Sequence, residues 1–298
     1  MEMFRCFYRK RGLLFTPFFF VTLQKRNILS RKWIIRSIAF LMLYVAAASY
    51  ILQNEEKFFF EHQELEQNDS YGFGVPYLDL SIEVNKELHL NAIWYTQESP
   101  RGVVLYFPDG DYLSTEYEIT QNYFYSKGYS VLIPDYRGTG KSNSAYQHEE
   151  DIFTDALQWY KMAYRLADTI PLIISGREFG SGIAAQLGGE QSADLIWLEN
   201  PYYAWNEIML KKYFWWLPHT YFTQYRIPLW AFVRKTTQRI ILVHATQNKK
   251  FPIENSHRLL EFLKPGDELI EIKSDQIDYR SAEFQKSMEK IGNTSQLF

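Results

Sequence analysis

Little in this chain does chemistry by residue type and spacing alone. The stretch Gly138-Thr139-Gly140-Lys141-Ser142 imitates the end of a phosphate-binding loop, in which backbone N–H groups cradle phosphates and a lysine reaches them. That pattern requires glycine at 135, where Asp135 stands, so the stretch reads as a turn between a strand and a helix. Six histidines are scattered with no metal-ligand spacing, so neither a metal site nor a cofactor is expected. Cys6, the single cysteine, excludes a disulfide scaffold and lies in no motif that would make it a nucleophile or a lipid site. Asn68-Asp69-Ser70 and Asn293-Thr294-Ser295 fit the glycosylation sequon, which matters only in a eukaryotic secretory pathway.

The elements that would position any site follow from charge and hydropathy. A chain that is 46% hydrophobic and 22% charged is neither disordered nor fibrous, and a net charge of −3 gives no reason to expect nucleic acid. Residues 1–36 carry nine basic side chains against Glu2, and residues 37–53 carry no charge at all. The remainder is acidic. Residues 33–53 are long enough, at ~1.5 Å per residue, to cross a ~30 Å hydrocarbon core, with Arg36 snorkelling and Trp33 and Tyr50 at the interfaces. Lys/Arg clusters before the segment and Glu55/Glu56 after it predict a cytoplasmic N-terminus and an extracytoplasmic C-terminal domain, periplasmic in a Gram-negative bacterium. A cleaved signal peptide is the competing reading. It is disfavoured because the small-residue run Ala46-Ala47-Ala48-Ser49 lies inside the apolar stretch. The organisation expected is a basic tail over 1–32, a single-pass anchor over 33–53, a linker over 54–76 and one domain over 77–298.

Within that domain, alternating strands at 78–84 and 88–95 precede short apolar runs at 102–107, 129–134, 171–175, 194–199, 239–244 and 268–272. Helical stretches near 115–127, 150–166, 179–189, 254–264 and 280–291 separate those runs. Fully apolar strands alternating with helices indicate an α/β protein with a mostly parallel central sheet covered on both faces. Residues 201–234 break the rhythm with twelve aromatics, divided by Pro218 and Pro228. An insertion there overhangs the C-terminal ends of the strands, where ligands bind in open sheets. It is either a helical cap lining an apolar pocket or an insertion that buries its own aromatics.

The stretches YSVLIPDYRGTGKSNS (129–144), IISGREFGSGIAAQL (173–187) and ILVHATQNKKFP (241–252), with QNEEKFFF (53–60), resemble the membrane-anchored α/β-hydrolases of the serine aminopeptidase-like type. The similarity runs from about residue 34 to 290. The resemblance implies an α/β-hydrolase fold and a serine nucleophile on a tight turn, G-x-S-x-G. Here the turn reads Gly176-Arg177-Glu178-Phe179-Gly180: both elbow glycines are kept and Glu178 takes the serine's place. Ser175 and Ser181 flank the tip without occupying it. The family's acid position holds Asn248, its base position falls at Asp275 in KSDQI, and its oxyanion loop reads Pro108-Asp109. A proline offers no N–H and an aspartate repels a developing oxyanion.

Four altered positions argue for a pseudoenzyme that binds a small apolar ligand in the cap pocket or a partner protein at the membrane. The pocket candidates are Phe179, Trp205, Trp215 and Trp216. The alternative is an active ester, amide or peptide hydrolase rewired around Glu178, with His148 or His219 supplying a base. His257 reads as a solvent-facing helix residue.

Overall fold

The computed structural model describes residues 31–58, 63–66, 69–71, 74–110, 122–212 and 223–292. The chain divides into two units, Met1–Tyr50 and Ile51–Phe298. In the first, helix α1 (Arg31–Gln53, running into the second unit) has no buried residue. It is long and apolar enough to cross a membrane or to act as a signal sequence.

The second unit holds the strands. They are β1 (Gln63–Glu64), β2 (Leu78–Glu83), β3 (His89–Tyr95), β4 (Val103–Phe107), β5 (Ser130–Pro134), β6 (Thr139–Gly140), β7 (Leu172–Arg177), β8 (Leu195–Glu199), β9 (Ile240–Ala245) and β10 (Glu268–Ile272). Eight of them form one sheet in the order β10-β9-β8-β7-β4-β5-β3-β2. β2 pairs antiparallel with β3, and β3 antiparallel with β5; the remaining neighbours are parallel. The sequence pattern anticipated these strands because the central ones are buried on both faces and therefore apolar throughout. The helices are α2 (Tyr123–Ser126), α3 (Glu149–Ala167), α4 (Phe179–Glu190), α5 (Trp205–Lys212), α6 (Leu229–Lys235), α7 (Glu254–Leu259) and α8 (Ala282–Gly292). The expected helix at 115–127 is represented by α2 alone, residues 115–121 lying outside the described ones.

β4 pairs with β5 on one side and β7 on the other, so the strand order reverses there. That reversal opens a crevice at the carboxyl ends of β4 and β7, the usual ligand position in open α/β sheets. The strand ends place Pro108-Asp109 and Arg177-Glu178 at this crevice.

Described residues of the stretch 54–76 pack into the second unit. Glu55 and Glu56 are buried, β1 pairs with β6, and Tyr71 enters the core. Backbone N–H groups and the distant Thr223 hydroxyl meet the two carboxylates.

Candidate functional site

The elbow is a strained turn between β7 and α4. Glu178 stands at φ 50°, ψ −111°, outside the regions a side chain prefers. Its N–H donates to the Glu199 carbonyl at 2.8 Å. Gly176 and Gly180 permit the turn by close approach: a methyl on Gly176 would collide with the backbone of Gly180, and one on Gly180 with the carbonyl oxygens of Phe107 and Pro108. Helix, elbow and oxyanion loop are therefore in backbone contact. Ser181 donates its hydroxyl to the Glu178 carbonyl at 2.5 Å, and Ser175 is fully buried, so neither serine occupies the tip.

The strongest family motif, DYRGTGKS, braces that loop. Asp135 accepts the Lys141 N–H at 2.9 Å and the Tyr71 hydroxyl, and Arg137 grips Asp155 of α3 through two bonds of 2.7 and 2.9 Å. Between them Tyr136 donates its hydroxyl to the Pro108 carbonyl at 2.7 Å. The phosphate-loop imitation is thus a turn, its Lys141 ammonium 2.7 Å from Asp79.

Three of the substituted positions come together around a residue that sequence reasoning missed. The Lys250 ammonium lies 2.7 Å from Asp109 and 3.2 Å from Glu178. Asn248 donates from Nδ2 to Glu178 at 3.4 Å, and its Oδ1 accepts the N–H groups of Lys250 and Phe251, both at 2.9 Å. The acid-position residue therefore shapes its own loop and turns Lys250 toward the elbow. Burial, and then the charge of Glu178, push the Asp109 carboxyl up to about 6, with Lys250 pulling the other way. Burial lowers the proton affinity of the Arg177 guanidinium, the residue before Glu178 in the chain. Tyr106, Tyr279, Glu199 and Glu178 outweigh that effect and leave it raised. Glu199 accepts from Trp197 at 3.0 Å and Tyr106 at 3.3 Å, and burial raises its carboxyl. Charges thus alternate in sign from Glu199 through Arg177, Glu178 and Lys250 to Asp109.

Asp275 does not join them. It is exposed, and among the described residues no hydrogen bond or ion pair links it to Glu178 or Asn248. Its loop ends in a local turn in which Ser274 bonds to the Gln276 carbonyl. Among the described histidines none bonds to this cluster. His244 is clamped between Ser256 at 2.7 Å and the Phe251 carbonyl at 2.8 Å, and burial lowers its proton affinity. His257 pairs with Glu271 at 2.9 Å, while His89 and His148 are exposed. His219, Trp215 and Trp216 lie outside the described residues. Trp205 and Phe179 are buried edge-to-face at 4.8 Å, with Tyr136 on the other side of Phe179 at 5.8 Å. The described base of the insertion therefore covers the elbow helix with aromatic side chains.

An eight-stranded, mostly parallel sheet with a strained strand-to-helix elbow at its switch point defines an α/β-hydrolase-fold protein. The chain belongs to the serine aminopeptidase, S33, family, whose model matches residues 98–265, more than half of the sequence. Among solved structures it is similar to an esterase of Pyrococcus furiosus, at 17% identity and TM-score 0.58, covering 78% of this chain and 94% of that one. Est1E of Butyrivibrio proteoclasticus, solved with ferulic acid, matches at 17% identity and TM-score 0.57 over 72% of this chain and 97% of that one. Acetyl xylan esterase 1 of a Thermoanaerobacterium species matches at 11% identity and TM-score 0.58, over 76% and 85% respectively. At these identities the likeness is one of fold. A search of curated proteins finds no match.

Proposed function

We propose that this chain is a membrane-anchored α/β-hydrolase-fold protein whose serine-hydrolase machinery has been replaced, and whose role is to bind a small apolar ligand under the cap or a partner protein at the membrane. One observation carries the reading: the elbow tip is Glu178, held by Lys250 and Asn248, with no histidine among its described partners. Acyl transfer needs a hydroxyl whose proton a base removes and an oxyanion met by N–H donors. Here the tip carboxyl lies against the ammonium that it shares with Asp109, and Asp109 would repel a developing oxyanion. The apolar segment over 33–53, preceded by basic residues, supports an anchor with the N-terminus in the cytoplasm and the folded unit outside it.

The purified chain should take no stoichiometric label from fluorophosphonates and should hydrolyse nitrophenyl acyl esters no faster than a non-enzymatic control protein. Glu178→Ser should remain inert, because no base is positioned to accept the serine proton. A second reading, hydrolysis by carboxylate chemistry at a rewired site, draws support from Asp109, a carboxyl raised to about 6 beside Glu178. Robust turnover abolished by Glu178→Gln would establish that reading and remove the first.

A further inference from the structure

The acidic pair that follows α1 is built into the folded unit. Glu55, 1% exposed, accepts the Thr223 hydroxyl on one oxygen and the Gln224 N–H at 3.1 Å on the other. Glu56 accepts the Tyr146 N–H at 2.9 Å, and the Tyr146 carbonyl in turn takes the Tyr225 hydroxyl at 3.3 Å. Glu149, in the first turn of α3, accepts the N–H groups of Arg226 at 2.6 Å and Ile227 at 2.9 Å. Glu55 and Glu149 thus hold Thr223, Gln224, Arg226 and Ile227 directly, and Glu56 reaches Tyr225 through the Tyr146 backbone, all in the C-terminal part of the insertion.

That segment touches the elbow. Ile227 has φ 30°, a left-handed conformation unfavourable for a β-branched residue and maintained only where its surroundings impose it. Its carbonyl accepts the Trp205 N–H at 3.2 Å. Its side chain lies against Gly182 in the first turn of α4, where any β-carbon would collide with it. Trp205 packs on Phe179, the residue beside Glu178. A continuous path of contacts therefore runs from Glu55 through Thr223, Ile227 and Trp205 to the elbow.

We propose that Glu55 and Glu56 form a strap that holds this segment of the insertion, and through it the aromatic wall of the elbow, in its closed arrangement. Any partner or force that draws this stalk, the turn Glu55–Phe58 that follows α1, away loosens that wall. This regulation rests on the reading of the elbow as the ligand-facing site, but the strap itself is measurable without ligand or turnover.

Hydrogen exchange of the full-length protein in lipid nanodiscs tests it, comparing wild type with Glu55→Gln and with the Glu55→Gln/Glu56→Gln pair. Loss of a charged acceptor should speed exchange ~10-fold in residues 223–229 and carry that change to 203–207 and 179–182. Residues 78–95, on the far edge of the sheet, should keep wild-type rates. Thr223→Val, which removes only the hydroxyl donor, should give the same pattern at smaller amplitude should the charge variants fail to fold. Acceleration confined to 54–57 and 223–224, or spread equally to 78–95, would overturn the strap. Labelling by fluorophosphonates tests the loss of hydrolase chemistry separately, so one failure is not mistaken for the other.

Discussion

At the elbow, Glu178 and Asp109 share the ammonium of Lys250, whereas in the stalk Glu55 and Glu56 are met by a hydroxyl and backbone N–H groups. Both regions take carboxylates out of water, where each needs a partner. The ionic solution draws two like charges toward one cation, and burial together with the repulsion between them leaves Asp109 with a raised proton affinity. In the stalk solution the charge is divided among donors on Thr223, Gln224 and Tyr146. The elbow therefore holds a carboxyl whose burial makes it sensitive to pH, while the stalk carboxylates depend on the donors that meet them.

The largest effect should come from the backbone on which the ionic cluster rests. Gly180→Val drives side-chain atoms into the carbonyls of Phe107 and Pro108, and should destabilise by about 3 kcal/mol or prevent folding, at the top of the overpacking range. Gly180→Ala gives a measurable fallback in urea unfolding. A midpoint equal to wild type for both variants would mean that elbow and oxyanion loop are not interlocked.

Next is the stalk. Glu55→Ala leaves the Thr223 hydroxyl and the Gln224 N–H without their acceptor and should cost about 2 kcal/mol, within the range for losing hydrogen bonds to a charged group. A change within the ~0.5 kcal/mol typical of surface positions would show that the stalk is a solvated tether.

The smallest effect has the opposite sign. The folded Asp109 carboxyl is raised to about 6, against an ordinary value near ~3.9. Between those two values the folded chain keeps a proton that the unfolded chain has released, so stability falls as pH rises through that window. An amide at this position cannot ionise. Asp109→Asn should therefore gain about 1 kcal/mol over wild type at pH 7.5, and the gain should vanish near pH 4. Thermal denaturation at both pH values checks it, and a loss at pH 7.5 would mean that Lys250 more than compensates the charge.

The strands were legible because burial on both faces leaves a continuous apolar run, as in Val103–Phe107 and Ile240–Ala245. The elbow was legible because its glycines mark backbone contact at a fixed spacing. Glu178, Asn248 and Asp109 could be placed by motif position, and they converge. Lys250 was overlooked although it stands two residues from Asn248 in HATQNKKFP; a lysine beside another lysine reads as solvated, and only the fold turns it toward Glu178. Asp275 was placed at the base position by its rank after the last strand, but rank does not fix which way a loop side chain points. The contacts of Glu55 were not legible, because its partners lie 168 and 169 residues away, beyond any local pattern.

The contact of Gly180 with the Phe107 carbonyl also bears on the order in which the chain folds. Those residues belong to α4 and β4, so the turn that holds Glu178 at φ 50° is packed against a segment distant in sequence. A nascent chain that has made β7 and α4 but has not yet seated β4 beside them lacks that packing. Contacts between segments so far apart form late, since the intervening loop must first be closed. The elbow should therefore be among the last parts of the sheet's carboxyl edge to gain protection during refolding. Pulsed exchange labelling would find Ser181 protected after Leu105 and Ile174, and earlier protection at Ser181 would place the strain in the turn itself.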